Sequence, residues 1–78
     1  MNSFFKSIDD FRESIECGEE FNLKLNGIEY YIGYSGDDNV ISESYGVHEK
    51  KFNSFDELLD LDLHGTTLRE SWMLLTAK

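Results

Sequence analysis

Cys17, His48 and His64 are the only thiol and imidazole groups in the chain, so the search for chemistry starts with them. A thiol nucleophile needs a histidine and an orienting acid or amide, and no local signature of that kind surrounds Cys17. Cys17 falls in the last turn of a predicted helix, where the dipole disfavours a thiolate, so it reads as a small filler residue. No CxxC or HExxH spacing occurs, and two histidines are too few for a zinc assignment from spacing alone. Gly36-Asp37-Asp38-Asn39 lacks the alternating ligands and distal Glu of a calcium loop, and reads as a turn. Asp9-Asp10 and Asp56-Glu57 lie in helix first turns, where they complement the positive end of the dipole. Gly65-Thr66-Thr67 is too short to cradle a phosphate. The expectation is a non-enzyme without catalytic, cofactor-binding or metal-ligating residues.

The remaining chemistry is charge. Sixteen acids against seven bases give a net charge of −9. That balance disfavours direct binding to nucleic acid or an anionic membrane and leaves solubility, metal affinity or a basic partner. The acids are concentrated: the first 20 residues hold six, and Asp56 to Asp62 hold four in seven. Asp9, Glu13, Glu16 and Glu20 recur at helical spacing, about 140° around the axis from the apolar stripe, with Arg12 set between them. Such a ridge also serves simply as a solvated face. Read as a docking surface, the candidate partner-binding set is Asp9, Glu13, Glu16 and Glu20, Asp37 and Asp38 in the turn, Asp56, Glu57 and Asp60, and Tyr31 on the hairpin's second face. The ridge acids step about 4.5–6 Å along the axis, loosely comparable with the roughly 3.4 Å phosphate rise of one DNA strand. A Lys/Arg-lined groove of a nucleic-acid-binding protein is therefore one partner to expect.

In size and charge the chain resembles the small acidic proteins of phages and mobile elements, among them DNA mimics, anti-CRISPR proteins and toxin-immunity proteins. The resemblance implies an inhibitor or immunity-type protein and transfers no residue roles. The alternative is an assembly subunit that self-associates through an open sheet face or edge strand, for which Tyr31, Tyr34 and Tyr45 are the candidate contacts.

These residues need a scaffold, and its clearest part is Phe21 to Tyr34. Asn26-Gly27 between alternating apolar residues signals a two-residue hairpin. It sets Leu25 opposite Ile28, Leu23 opposite Tyr30 and Phe21 opposite Ile32 on one face. Lys24 with Glu29 and Asn22 with Tyr31 lie on the other. Before it, Ser3 to Gly18 reads as a helix with the stripe Phe4, Ile8, Phe11, Ile15, stopped by Gly18; Ser7 with Asp10 makes a variant capping box, which would start regular helix only at Ile8. After it, Val40 to Tyr45 reads as a third strand. Pairing Tyr34 with Ile41 would set Glu43 against Ile32, a conflict that a bulge or an edge position would relieve. Val47 to Phe52 suggests a short fourth strand or an extended return.

Ser54 and Glu57 form a capping box for a short helix. Asp60 to Leu63 alternates and reads as extended, and His64-Gly65 makes a tight corner. Thr67 and Glu70 suggest a second box, opening a helix with Leu68, Trp72 and Leu75 on one stripe. The predicted class is α+β: a three- to four-stranded antiparallel sheet, in the order α-β-β-β-(β)-α-α, with helices on one face. The predicted core is Ile8, Phe11, Ile15, Leu23, Leu25, Ile28, Tyr30, Ile32, Leu58, Leu68 and Trp72.

A length of 78 residues predicts one domain, 1–78. A single cysteine, no signal-peptide pattern and no long apolar run place it, by expectation, in the cytoplasm.

Overall fold

The computed structural model of the chain describes residues 4–77, apart from the side chain of Tyr45. The start of the predicted first helix at Ser3 and the contact role of Tyr45 lie outside the described residues. The class is α+β, with helices against an antiparallel sheet. The order is α1 (Ile8–Glu16), β1 (Phe21–Leu25), β2 (Ile28–Ser35), β3 (Asp38–Glu43), β4 (Lys50–Phe52), α2 (Phe55–Leu59), α3 (Leu68–Ser71) and β5 (Thr76–Ala77). The sheet has five strands, not three or four, in the order β4-β3-β2-β1-β5.

Local chemistry sets the helix ends. The Ser7 side chain accepts the Asp10 N–H, so α1 begins at Ile8, after an irregular stretch over residues 4–7. At the other end Gly18 takes φ +82°; its N–H donates to Ile15 and that of Glu19 to Ser14. This is the paired closure of a left-handed C-terminal cap. Ser54 caps α2 in the same way as Ser7. Thr67 does not make the expected box: its hydroxyl turns to the Glu70 carboxylate, and no side-chain cap forms. Four-residue α3 then tightens into a 3₁₀ turn over Trp72–Leu74, and the chain leaves extended from Leu75. The long final helix expected from the stripe is therefore replaced by two short turns and a strand, β5, which pairs with β1.

The first hairpin has the predicted register throughout, with Asn26 at φ 51° and Gly27 at φ 82°. The second hairpin corrects the register expected for β3. A two-residue loop, Gly36-Asp37, closes it, so β3 begins at Asp38, two residues before the expected Val40. Ile32 then pairs with Ile41, Tyr34 with Asn39 and Tyr30 with Glu43. No bulge is needed.

One face of the sheet carries the core. Leu23, Leu25, Tyr30, Ile32, Ile41 and Phe52 pack against Phe11 of α1, Phe55, Leu58 and Leu59 of α2, and Leu68 of α3. Every predicted core residue lies in this cluster or against it, with Ile8, Ile15, Ile28 and Trp72 only partly buried. Phe4, expected on the stripe, is 43% exposed, and Phe5 takes its place at 2%. The reason is the bend before Ser7: with no helix there, the 3.6-residue repeat does not reach Phe4. Asp60–Leu63 is likewise not a strand; only Leu63 bridges, to Thr66, across the His64-Gly65 corner.

Candidate functional site

The predicted partner-binding residues separate into four places. Asp9, Glu13 and Glu16 line the exposed side of α1, opposite the buried Phe11. None of the three makes an ion pair among the described residues. On α2 the acids are already engaged. Asp56 has Arg12 at 3.8 Å and Arg69 at 3.9 Å, and Arg69 grips Asp60 with two bonds of 2.7 and 3.1 Å. Glu57 accepts the Asn53 N–H at the helix start. Arg12 leaves the ridge and lies over the Phe55 ring, 4.8 Å from its centre. The two arginines thus pair with Asp56 and Asp60, while Asp9, Glu13 and Glu16 on α1 have no cation beside them among the described residues. At the β2–β3 turn, Asp38 pairs with Lys51 at 3.2 Å, while Asp37 is exposed.

Arg69 holds the Asp60 carboxyl below the usual carboxylate range, by its hydrogen bonds first and its charge second. A carboxylate whose folded pKa is depressed adds stability above its unfolded value, near 3.9, and loses it as pH falls through the lower folded value. The exposed setting makes the effect small. Arg69→Met should lower the urea midpoint at neutral pH, and the gap to the parent should narrow as the solution is acidified below about pH 4. A gap that widened in acid would rule out the pairing.

Glu20 departs from the ridge because α1 ends before it. It accepts the Tyr31 hydroxyl at 2.8 Å, on the sheet face away from the helices. The Tyr31 hydroxyl also accepts the Tyr34 N–H, and the ring lies where a side chain at Gly33 would sit. Tyr31 is therefore half-buried and tied down, filling the space that glycine leaves in the strand. The same face forms a shallow concavity of about 510 Å³, lined by Asn22, Tyr31, Ser42 and Glu49 among others. Both sheet edges are short: β4 has three residues and β5 two.

A further constellation appears that spacing did not suggest. Glu43 ends β3 at the rim of the core-facing side, opposite Tyr30. His48, in the β3–β4 connection, places Nδ1 2.6 Å from Glu43 Oε2, and His64, from the corner before α3, places Nε2 2.8 Å from the same oxygen. The two imidazoles hold the Glu43 carboxyl below the ordinary range, His64 contributing more than His48. An ionised carboxylate only accepts, so both ring nitrogens donate to it. Beside the trio lies a pocket of about 150 Å³, bordered by Tyr30, Asp62 and Leu63. Burial, then the charges of Glu43 and Asp62, raise the Tyr30 hydroxyl's pKa.

The legible signal for this trio was the conflict at Glu43, an acid on the inward-facing side of a strand. Its resolution comes from histidines 5 and 21 residues away, which no local pattern joins. Cys17, by contrast, is exposed and free at the end of α1.

No described helix is long and apolar enough to cross a membrane. Compared with protein families, with curated proteins and with solved structures, the chain shows no significant match.

Proposed function

We propose that this chain is a non-catalytic, cytoplasmic binding module that docks its acidic first helix on a basic protein surface, as an inhibitor or immunity-type protein would. The single observation that carries the reading is the division of charge. Arg12 and Arg69 are spent on Asp56 and Asp60, whereas Asp9, Glu13 and Glu16 stand exposed in a row on a helix fixed by its buried face. A rigid row of like charge steers a complementary partner and raises the association rate, an effect that salt screens. A Lys/Arg-lined groove of a nucleic-acid-binding protein has the required sign. Self-association along a sheet edge is less favoured, since strands of two and three residues offer few free backbone groups.

The test is affinity capture from host lysate at low salt, followed by elution with rising salt. The wild-type chain should retain a basic protein that elutes as salt increases. The Glu13→Lys/Glu16→Lys variant should fold normally and slow association by about tenfold or more. Capture that ignores both salt and the charge reversal would refute the docking reading.

A further inference from the structure

The geometry points to a second, separate site: we propose that Glu43, His48 and His64 bind a divalent first-row metal ion of the zinc type through one carboxylate oxygen and two imidazole nitrogens. Both histidines of the chain, from different connections, converge on one oxygen atom, and the three donor atoms lie within 4.8 Å of one another. Two imidazoles and a carboxylate are a ligand set that suits zinc and its neighbours and leaves a coordination position open.

The backbone holds the donors in place. His48 and His64 are at φ 55° and 57°, and Asn26 is the only other non-glycine residue with positive φ among those described. Positive φ is uncommon outside glycine, with histidine among the types that tolerate it, and both donors hold it here. At His64 the corner is clamped: Leu63 and Thr66 bridge across it, and Asp62 accepts the Gly65 N–H. At His48 the connection is closed by the Glu43 N–H donating to Val47 at 2.8 Å. Each ligand therefore sits on, or beside, a hydrogen-bonded turn.

The fit requires the two exposed imidazoles to re-aim around Glu43. With metal–ligand distances near 2.0–2.2 Å, donors of a tetrahedral ion lie about 3.3 Å apart. The nitrogens are now 2.6 and 2.8 Å from Oε2, so each must back away by about half an ångström or slightly more, while the two nitrogens, within 4.8 Å of each other, turn toward the same spacing, with the ion taking the place of the shared protons. The imidazoles are accessible, with side chains 63% and 49% exposed, while Glu43 is 19% exposed and anchored at the end of its strand. A bound ion would join the end of β3 to the corner before α3, a staple of the kind that small domains use.

The probe is Zn²⁺ itself, titrated into the metal-free chain and followed by calorimetry and thermal melting. One equivalent should bind saturably and raise the melting temperature, and Co²⁺ should give visible bands of a low-symmetry nitrogen/oxygen site. His48→Asn and His64→Asn suit the same backbone conformation, because asparagine tolerates positive φ. Each should weaken uptake by more than about 100-fold, beyond the 10–100-fold that loss of an outer contact gives. Glu43→Gln should weaken it similarly, Cys17→Ser should not, and circular dichroism without metal should be unchanged in all four. Absence of saturable uptake by the wild type overturns the proposal. So does uptake that survives both asparagine variants or disappears with Cys17. The acidic-docking variant Glu13→Lys/Glu16→Lys should bind Zn²⁺ normally, so the two proposals stand or fall separately.

Discussion

Phe11→Ala is expected to remove about 3–5 kcal/mol, the usual cost of emptying a fully buried aromatic site. Phe11 is completely buried, stacked on Phe5 with ring centres 4.4 Å apart and edge-on to Phe55 at 5.0 Å. It therefore joins the segment before α1, α1 itself and α2, and no neighbour can fill its volume without moving one of them. A chain of 78 residues holds roughly 4–12 kcal/mol in all, so the variant should lose from about a quarter of its stability to the whole of it. Phe4→Ala is the control, because Phe4 is 43% exposed and meets Phe5 and Phe21 only edge-on, so its loss should cost about 1–2 kcal/mol. Urea unfolding followed by tryptophan fluorescence measures both. Equal losses at the two positions would mean that the helical stripe does continue back to Phe4.

Leu75→Ala is expected to cost about 2–5 kcal/mol and to release β5. Leu75 is 1% exposed, and its carbonyl accepts the Phe4 N–H at 2.9 Å, so it anchors the last residues against the start of the chain. Beyond it, Thr76 pairs with Lys24 and Ala77 with Leu23. Amide exchange separates this arrangement from a C-terminal helix. The variant should lose protection at the outer edge of β1 while the β1–β2 amides persist wherever the chain remains folded. Unchanged exchange along β1 would show that no fifth strand is held there.

These two positions also show what the chain made legible. The hairpin at Asn26-Gly27 was readable because turn chemistry and alternation act within 14 residues, and each fixes the other. The caps at Ser7, Gly18 and Ser54 were readable for the same reason, as each satisfies backbone groups three or four residues away. The register of β3 was not. Gly36-Asp37 lies within a run of five turn formers, and choosing the tight loop required knowing that Ile41 must face Ile32. The final helix failed for a related reason: Leu68, Trp72 and Leu75 fit a helical stripe, but an edge of β1 was available, and pairing with it prevailed over local propensity.

The candidate sites divide in the same way. The α1 ridge was visible as spacing, and the fold keeps Asp9, Glu13 and Glu16 together. It removes Glu20 to the open sheet face and matches Asp56 and Asp60 with arginines, which spacing along the chain does not reveal. Glu43, His48 and His64 meet only through the sheet register and the corner at His64-Gly65. Along the chain they are two isolated histidines and an awkward acid.

The most direct measurement of the docking claim is an amide chemical-shift map of this chain, recorded as its captured basic partner is added. Free charge on α1 predicts that the perturbed amides cluster over residues 9–16, and that added salt weakens their response. Perturbations centred instead on Asn22, Tyr31 and Ser42 of the open sheet face, insensitive to salt, would contradict it.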